Sequence, residues 1–313
     1  MIRSLKIDLI NHCNAKCSFC PYHGVTGVVT AQLQERREQF SMLMLSDMET
    51  LVRGCEQDGI KPKFKFSGRG EATIHQDFSK ILRFISRNGF QTRIITNGLL
   101  LEKYVSVLIE CHTEVVVSIH GREKIHDATI GEIGALHKAE IGLQKIAGHS
   151  VSVEIGIILT PQNIDDLEEI VTRYATSGNV KVRIHHNFDA RIRASLSPYA
   201  VYETLSRIKE RFPAIRTVPD LSEEALCRYY GTSHFVINPH SCTRYAEELE
   251  ISSDGTVTVC NNTSFGNIRS TSFSQIVSGT TRASFIALMK NELCSPEGLS
   301  SARCDRCCYQ TQR

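Results

Sequence analysis

Residues 13–21 read Cys13-Asn14-Ala15-Lys16-Cys17-Ser18-Phe19-Cys20-Pro21. Three thiols spaced Cx3Cx2C suit three corners of a [4Fe-4S] cluster and leave its fourth iron without a protein ligand. An open iron fits a cluster that binds a small molecule better than one that only stores an electron. The run follows an apolar stretch, Leu5 to Ile10, that reads as a strand. Zinc is the competing occupant. A structural zinc site takes four ligands, and His12 or His23 would complete the set.

Outward from this loop, short β-branched runs at 5–10, 63–67, 91–96, 114–119, 151–159 and 180–185 alternate with helical patterns. Those patterns fall near 46–57, 77–88, 101–111, 135–147, 165–176 and 198–211. Six strand–helix repeats with mostly apolar strands predict an α/β fold with a parallel sheet and helices outside. The count suits an open, partial (β/α)6 TIM-like barrel. Ligands in such folds gather at the C-terminal strand ends, which puts residues 13–20 at the mouth. Past Phe212, Pro213, Pro219 and Pro239 break the pattern and no further repeat is expected. The reading divides the chain into a core at 1–212, a bridge at 213–239 and a small C-terminal domain at 240–313. In that last part a hairpin, Glu248–Ser252 and Thr256–Cys260, turns at Asp254-Gly255.

The chain has 313 residues and a net charge of +2 from 36 basic and 34 acidic side chains. There is no basic stripe for nucleic acid and no apolar run long enough for a membrane span. The N-terminus lacks a signal-peptide core. Twelve cysteines in such a chain fit thiolate ligation in a reducing cytoplasm better than a disulfide framework.

Loop chemistry then points to a family. After the second strand stands Ser67-Gly68-Arg69-Gly70-Glu71-Ala72; after the third, Thr96-Asn97-Gly98; after the fourth, Ser118-Ile119-His120-Gly121. Together with the cysteine run, these segments resemble radical S-adenosylmethionine (SAM) enzymes in order and place. The resemblance implies that Cys13, Cys17 and Cys20 hold a [4Fe-4S] cluster whose open iron is chelated by SAM. It matches Gly68, Gly70 and Glu71 to the family's Gly-Gly-Glu-Pro segment beside the methionyl amine, with Arg69 and Ala72 as departures. Asn97 falls at the edge of the SAM pocket, Ser118 at the ribose and Phe19 at the adenine. On the fifth and sixth strands, Ser152/Glu154/Gly156 and Lys181/Arg183/His185 share a parity that would face the lumen. Glu154 and Lys181 are expected to pair, and Arg183 suits a clamp on SAM's carboxylate.

Cys242, twelve residues, Gly255, four residues and Cys260 precede a CxxC unit, Cys304 and Cys307. This resembles the twitch domain, the short form of the SPASM extension, and implies a second [4Fe-4S] cluster. Cys308 is a possible substitute ligand, and Cys294 a loop residue or ligand. A four-cysteine zinc knot uses the same thiolates. Cys55 and Cys111 read as packing residues on outer helices. Cys227 reads first as a buried structural thiol and, alternatively, as a hydrogen-atom donor of the kind some radical SAM epimerases use.

The domain plan resembles the aminocyclitol dehydrogenase of butirosin biosynthesis and related epimerases. The first strand lies close to the N-terminus, which is expected to leave no room for a leader-peptide domain. The resemblance therefore implies dehydrogenation or epimerisation of a small sugar-like or aminocyclitol substrate, with a flavodoxin- or ferredoxin-type electron donor. Epimerisation or crosslinking of a ribosomal peptide is the alternative. A zinc-stabilised binding protein is the non-enzymatic one.

Overall fold

The computed structural model describes residues 1–24, 39–176, 180–187, 189–231, 233, 235, 242–260 and 263–294. Seven strands run parallel in chain order: β1 (Ser4–Ile7), β2 (Lys63–Phe66), β3 (Thr92–Thr96), β4 (Glu114–Ser118), β5 (Val153–Ile158), β6 (Lys181–His185) and β7 (Arg216–Val218). β8 (Glu248–Ile251) lies parallel to β1 on its free side. β9 (Thr256–Val259) and β10 (Thr263–Asn267) continue antiparallel. The sheet order is β10-β9-β8-β1-β2-β3-β4-β5-β6-β7. The parallel strands form the open partial barrel expected from the alternation, with a small antiparallel C-terminal region.

Alternation explains the layers. Leu5, Ile7, Phe64, Phe66, Ile94, Val117, Ile155, Ile157 and Ile184 are fully buried and share a core with Met48, Leu51, Phe78, Ile81 and Leu108 of the outer helices. The opposite parity carries charge: Lys6, Lys65, Arg93, Glu154 and Arg183 face the inside of the open barrel and pair there. Cys55 and Cys111 are buried, as their helical positions suggested.

Three features depart from the sequence reading. A seventh strand–helix repeat exists, β7 followed by the helix Glu223–Tyr230, inside the stretch read as lacking one. The C-terminal hairpin extends the barrel sheet, and Leu249, Ile251 and Val257 join the main core. Glu154 and Lys181 are register neighbours, yet Glu154 pairs with Arg93 and Arg183 while Lys181 stays exposed. Among the described residues, no helix is long and apolar enough to cross a membrane.

The most buried carboxylate at the seam between β1 and β8 is Glu248, beside a second, Glu250, that pairs with Lys6. Glu248 accepts hydrogen bonds from Ser4 Oγ (2.7 Å), Lys65 Nζ (2.9 Å) and Arg244 Nε (2.7 Å). Burial alone would raise its pKa, but Arg244 and Lys65 outweigh burial and pull it down to about 2. A carboxylate depressed in the folded state adds stability above its unfolded pKa and loses it as pH falls through the folded value. Glu248→Gln should therefore cost roughly 3 kcal/mol at neutral pH, read from urea midpoints. The difference from wild type should shrink between about pH 5 and pH 2. A pH-independent difference would contradict this assignment.

Candidate active site

The cysteine loop leaves the end of β1 and is pinned from both sides. Lys16 N–H and Ser18 N–H donate to the carbonyls of Ile130 and Thr129 (both 2.9 Å), at the C-terminal end of the helix Glu123–Ile130. Ala15, Ile130 and Ala135 form a small apolar cluster against which Cys13 and Cys17 pack. The sulfurs of Cys13 and Cys20 collect N–H donors. Ala15 N–H points at Cys13 Sγ and His23 N–H at Cys20 Sγ (both 3.4 Å), and Asn97 Nδ2 lies 3.8 Å from Cys13 Sγ. Burial pushes Cys13 up to about 11 and Cys17 up to about 12, and the mutual charge of neighbouring thiolates adds to both. Thiolates crowded in this way call for a cationic partner. Amide donors to sulfur are also how proteins tune iron–sulfur ligands, so the residues present fit a cluster. Among the described residues, no three His, Cys, Asp or Glu side chains form a ready-made cage for a single metal ion.

The glycine loop is built onto this one. Glu71 N–H donates to His12 O (2.9 Å), directly before Cys13. A Cβ on Gly70 would stand 2.0 Å from Ile10 O and 2.4 Å from His12 O, and one on Gly68 would strike Asp8 Oδ1 at 2.4 Å. Only glycine permits this approach. Asp8 completes the clamp: its Oδ1 accepts from Arg69 N–H and its Oδ2 from Arg69 Nε, both at 2.9 Å. Burial raises the Asp8 pKa even with Arg69 beside it.

Glu71 is the centre of the arrangement. Its carboxylate is buried and accepts from Thr73 N–H (3.1 Å), Thr73 Oγ1 (2.7 Å), Thr96 Oγ1 (2.9 Å) and Asn97 N–H (2.8 Å). Burial raises its pKa against these donors. Asn97 carries the connection onward, donating from Nδ2 to Asn14 Oδ1 (2.8 Å) inside the cysteine loop. Gly98, at φ +82°, turns the chain away where a side chain would press on Ala139.

The structure thus brings together Cys13, Cys17, Cys20, Gly68, Gly70, Glu71 and Asn97. Phe19 packs edge-on against His120, with centroids 4.9 Å apart. His120 is fully enclosed and its Nδ1 accepts from Ile158 N–H (3.2 Å). Burial first, then His126 and His185, lowers its pKa to about 3, so it is neutral at physiological pH. Ser118 and Arg183 lie in one cross-strand row with Gly156 between them. Cys227 is exposed on the helix Glu223–Tyr230, which corrects the expectation of a buried structural thiol. Cys242 and Cys260 border one small core of Tyr245, Val259, Phe285 and Met289. Cys260 holds φ +40°, a left-handed conformation that a non-glycine residue keeps only when its surroundings enforce it. Cys294 ends the helix Thr280–Cys294, while Cys304, Cys307 and Cys308 lie outside the described residues.

Asp8, Thr73 and Thr96 are working parts that the sequence did not reveal.

Comparison with known proteins agrees with this geometry. A family model described as the radical SAM superfamily matches residues 7–173, and the SPASM model, an iron–sulfur cluster-binding domain, matches residues 242–308. A probable GTP 3',8-cyclase of Methanococcus maripaludis is 28% identical over 169 residues, covering 53% of this chain and 50% of the relative. The chain therefore spans about half the length of the curated relatives it matches. Among solved structures, Streptococcus suis SuiB bound to its precursor peptide SuiA superposes with a TM-score of 0.69 at 17% identity. That match covers 97% of this chain and 76% of SuiB. Native anSMEcpe with bound AdoMet gives 0.68 at 17% identity, covering 99% of this chain and 91% of that one. At these identities the likeness is one of fold.

Gly70→Ala tests the joint between the two loops. The added methyl would displace the loop from Ile10 and His12, and SAM affinity of the anaerobically reconstituted protein should fall at least tenfold. Equilibrium dialysis reads this directly, and unchanged affinity would contradict the assignment.

Proposed function

Starting from a chain that belongs to the radical SAM superfamily and carries a SPASM-type iron–sulfur domain, we propose that it abstracts a hydrogen atom from an unactivated C–H bond of a small polar substrate. A sugar-like or aminocyclitol natural-product intermediate is the class we favour, with dehydrogenation or epimerisation as the outcome, in a reducing cytoplasm. The observation that carries the reading is the Glu71 junction, which ties cysteine loop, glycine loop and β3 end into one mouth. When bound and reduced, a [4Fe-4S] cluster and SAM supply a 5'-deoxyadenosyl radical.

The protein's own residues would hold and shape that chemistry. Cys13, Cys17 and Cys20 would ligate the cluster, and Asn97 steadies their loop through Asn14. Gly68 and Gly70 open the backbone toward the methionyl group, with Glu71 as the buried brace. Phe19, backed by His120, offers a ring edge to adenine, and Ser118 a hydroxyl to ribose. Cys242, Cys260, Cys304 and Cys307 would hold the auxiliary cluster, which can take the electron a dehydrogenation releases. Exposed Cys227 would serve the epimerisation branch by giving a hydrogen atom from its S–H bond. A flavodoxin- or ferredoxin-type protein would supply the first electron.

Charge on the inner face supports a compact polar substrate: Lys6, Lys65, Arg93, Glu154 and Arg183 all stand there. A peptide substrate is the second reading, favoured by the fold shared with SuiB in its precursor-peptide complex. A GTP cyclase is not adopted, because the shared sequence spans half of those relatives.

Reduced, reconstituted protein with SAM should release 5'-deoxyadenosine and methionine, and the Cys17→Ala variant should release none. In D2O, an epimerised product should carry one solvent deuterium, and Cys227→Ala should abolish that product while sparing SAM cleavage. A deuterium-free product unaffected by Cys227→Ala would remove the donor role. Absence of 5'-deoxyadenosine in the wild type would sink the whole proposal.

A further inference from the structure

One registered row crosses the inner face at the level of the mouth: Ser118 on β4, Gly156 on β5, Arg183 on β6 and Arg216 on β7. Registered neighbours point to the same face of a sheet. With strands about 4.8 Å apart, Arg183 and Arg216 stand about 10 and 14 Å across the sheet from Ser118. His185 lies one inward-facing step above Arg183, beside Ile158, and Glu154 lies one such step below, beside Lys181.

Positive charge exceeds negative here. Glu154 is shared between Arg93 (2.9 Å) and Arg183 (2.8 Å), while Glu114, already paired with Lys63, reaches Arg93 more loosely at 3.6 Å. Among the described residues, Arg216 has no carboxylate partner, and Arg183 Nε is buried without an acceptor. Burial and the neighbouring cations Arg93 and Arg216 lower the Arg183 pKa despite Glu154. Burial, then Arg183 and Arg93, brings His185 down to about 4. Gly156 keeps the middle of the row free of a side chain: among the described residues, a Cβ there would press on Val116 Cγ1 at 3.3 Å.

We infer that the β5–β7 side of the lumen is an anion-recognition site, built by Arg183 and Arg216 with His185 above them, for a carboxylate or phosphate carried by the substrate. The inference rests on the proposed small polar substrate and names its charged end. Guanidinium groups bind such oxyanions through paired N–H donors, and the unpartnered Nε is one such donor. Neutral His185 adds a hydrogen-bond donor without a further charge to desolvate. The row also separates the two ends of a substrate. A reacting carbon near Ser118 and an anionic group at Arg183 and Arg216 lie two to three strand spacings apart. SAM's own carboxylate is the other source of the same chemistry, and the test distinguishes them.

Inorganic phosphate and malonate are titrated calorimetrically into anaerobically reconstituted protein, with and without SAM. Wild type is compared with Arg216→Gln, a change at an exposed side chain, and Arg183→Lys, which keeps a cation beside Glu154. At least one anion should bind saturably with SAM present, at least tenfold more weakly in both variants, while SAM affinity in Arg216→Gln stays within twofold. Absence of saturable binding in the wild type, or binding indifferent to both changes, overturns the site. So does a tenfold loss of SAM affinity in Arg183→Lys with anion binding intact, which gives the guanidinium to the cofactor. If the wild type binds the anion but not SAM, the site stands and the proposed function fails.

Discussion

A buried carboxylate with four internal donors holds the mouth of this protein together. Glu71 sits where the cysteine loop, the glycine loop and the end of β3 meet. In a low-dielectric setting each of those hydrogen bonds is strong, and each would be costly to leave unmade. The loops are therefore fixed relative to one another before any ligand arrives. That preorganisation is what a site needs when it must keep a reactive species away from water and from its own backbone.

A second layer of charge supports the first. Asp8 clamps Arg69 and the glycine loop from below, and Glu248 joins β8 to β1 through Ser4, Lys65 and Arg244. These contacts lie on the inner face, where the strands turn their polar parity away from the helices. The iron–sulfur domain is thereby attached by the same sheet that carries the active-site loops. Cys242 and Cys260 are held beside a small core that begins at the far edge of that sheet.

The barrel was legible in the sequence because apolar, β-branched runs alternate with helices at regular spacing, and six parallel strands fall where that alternation put them. β7 was not, since Arg216-Thr217-Val218 between two prolines is too short to show a period. The docking of β8 onto β1 depends on contacts 244 residues apart, which leave no local trace. Register made neighbours of Glu154 and Lys181, but Lys181 lies at the exposed start of β6 and two longer guanidiniums reach the carboxylate instead. The cysteine and glycine motifs were readable as spacings. Asp8 was not, because a lone carboxylate carries no pattern and its partner is fixed only by folding.

The central claim is that one chain carries an active-site cluster at Cys13, Cys17 and Cys20 and an independent auxiliary cluster at its C-terminal cysteines. Iron and acid-labile sulfide per chain test it most directly, measured after anaerobic reconstitution of the wild type and of a Cys13/Cys17/Cys20→Ala triple variant. Two cubane clusters predict about eight irons, falling to about four in the variant. About four irons falling to none would contradict the account, leaving the C-terminal cysteines as a zinc or empty site and the dehydrogenation branch without its electron acceptor.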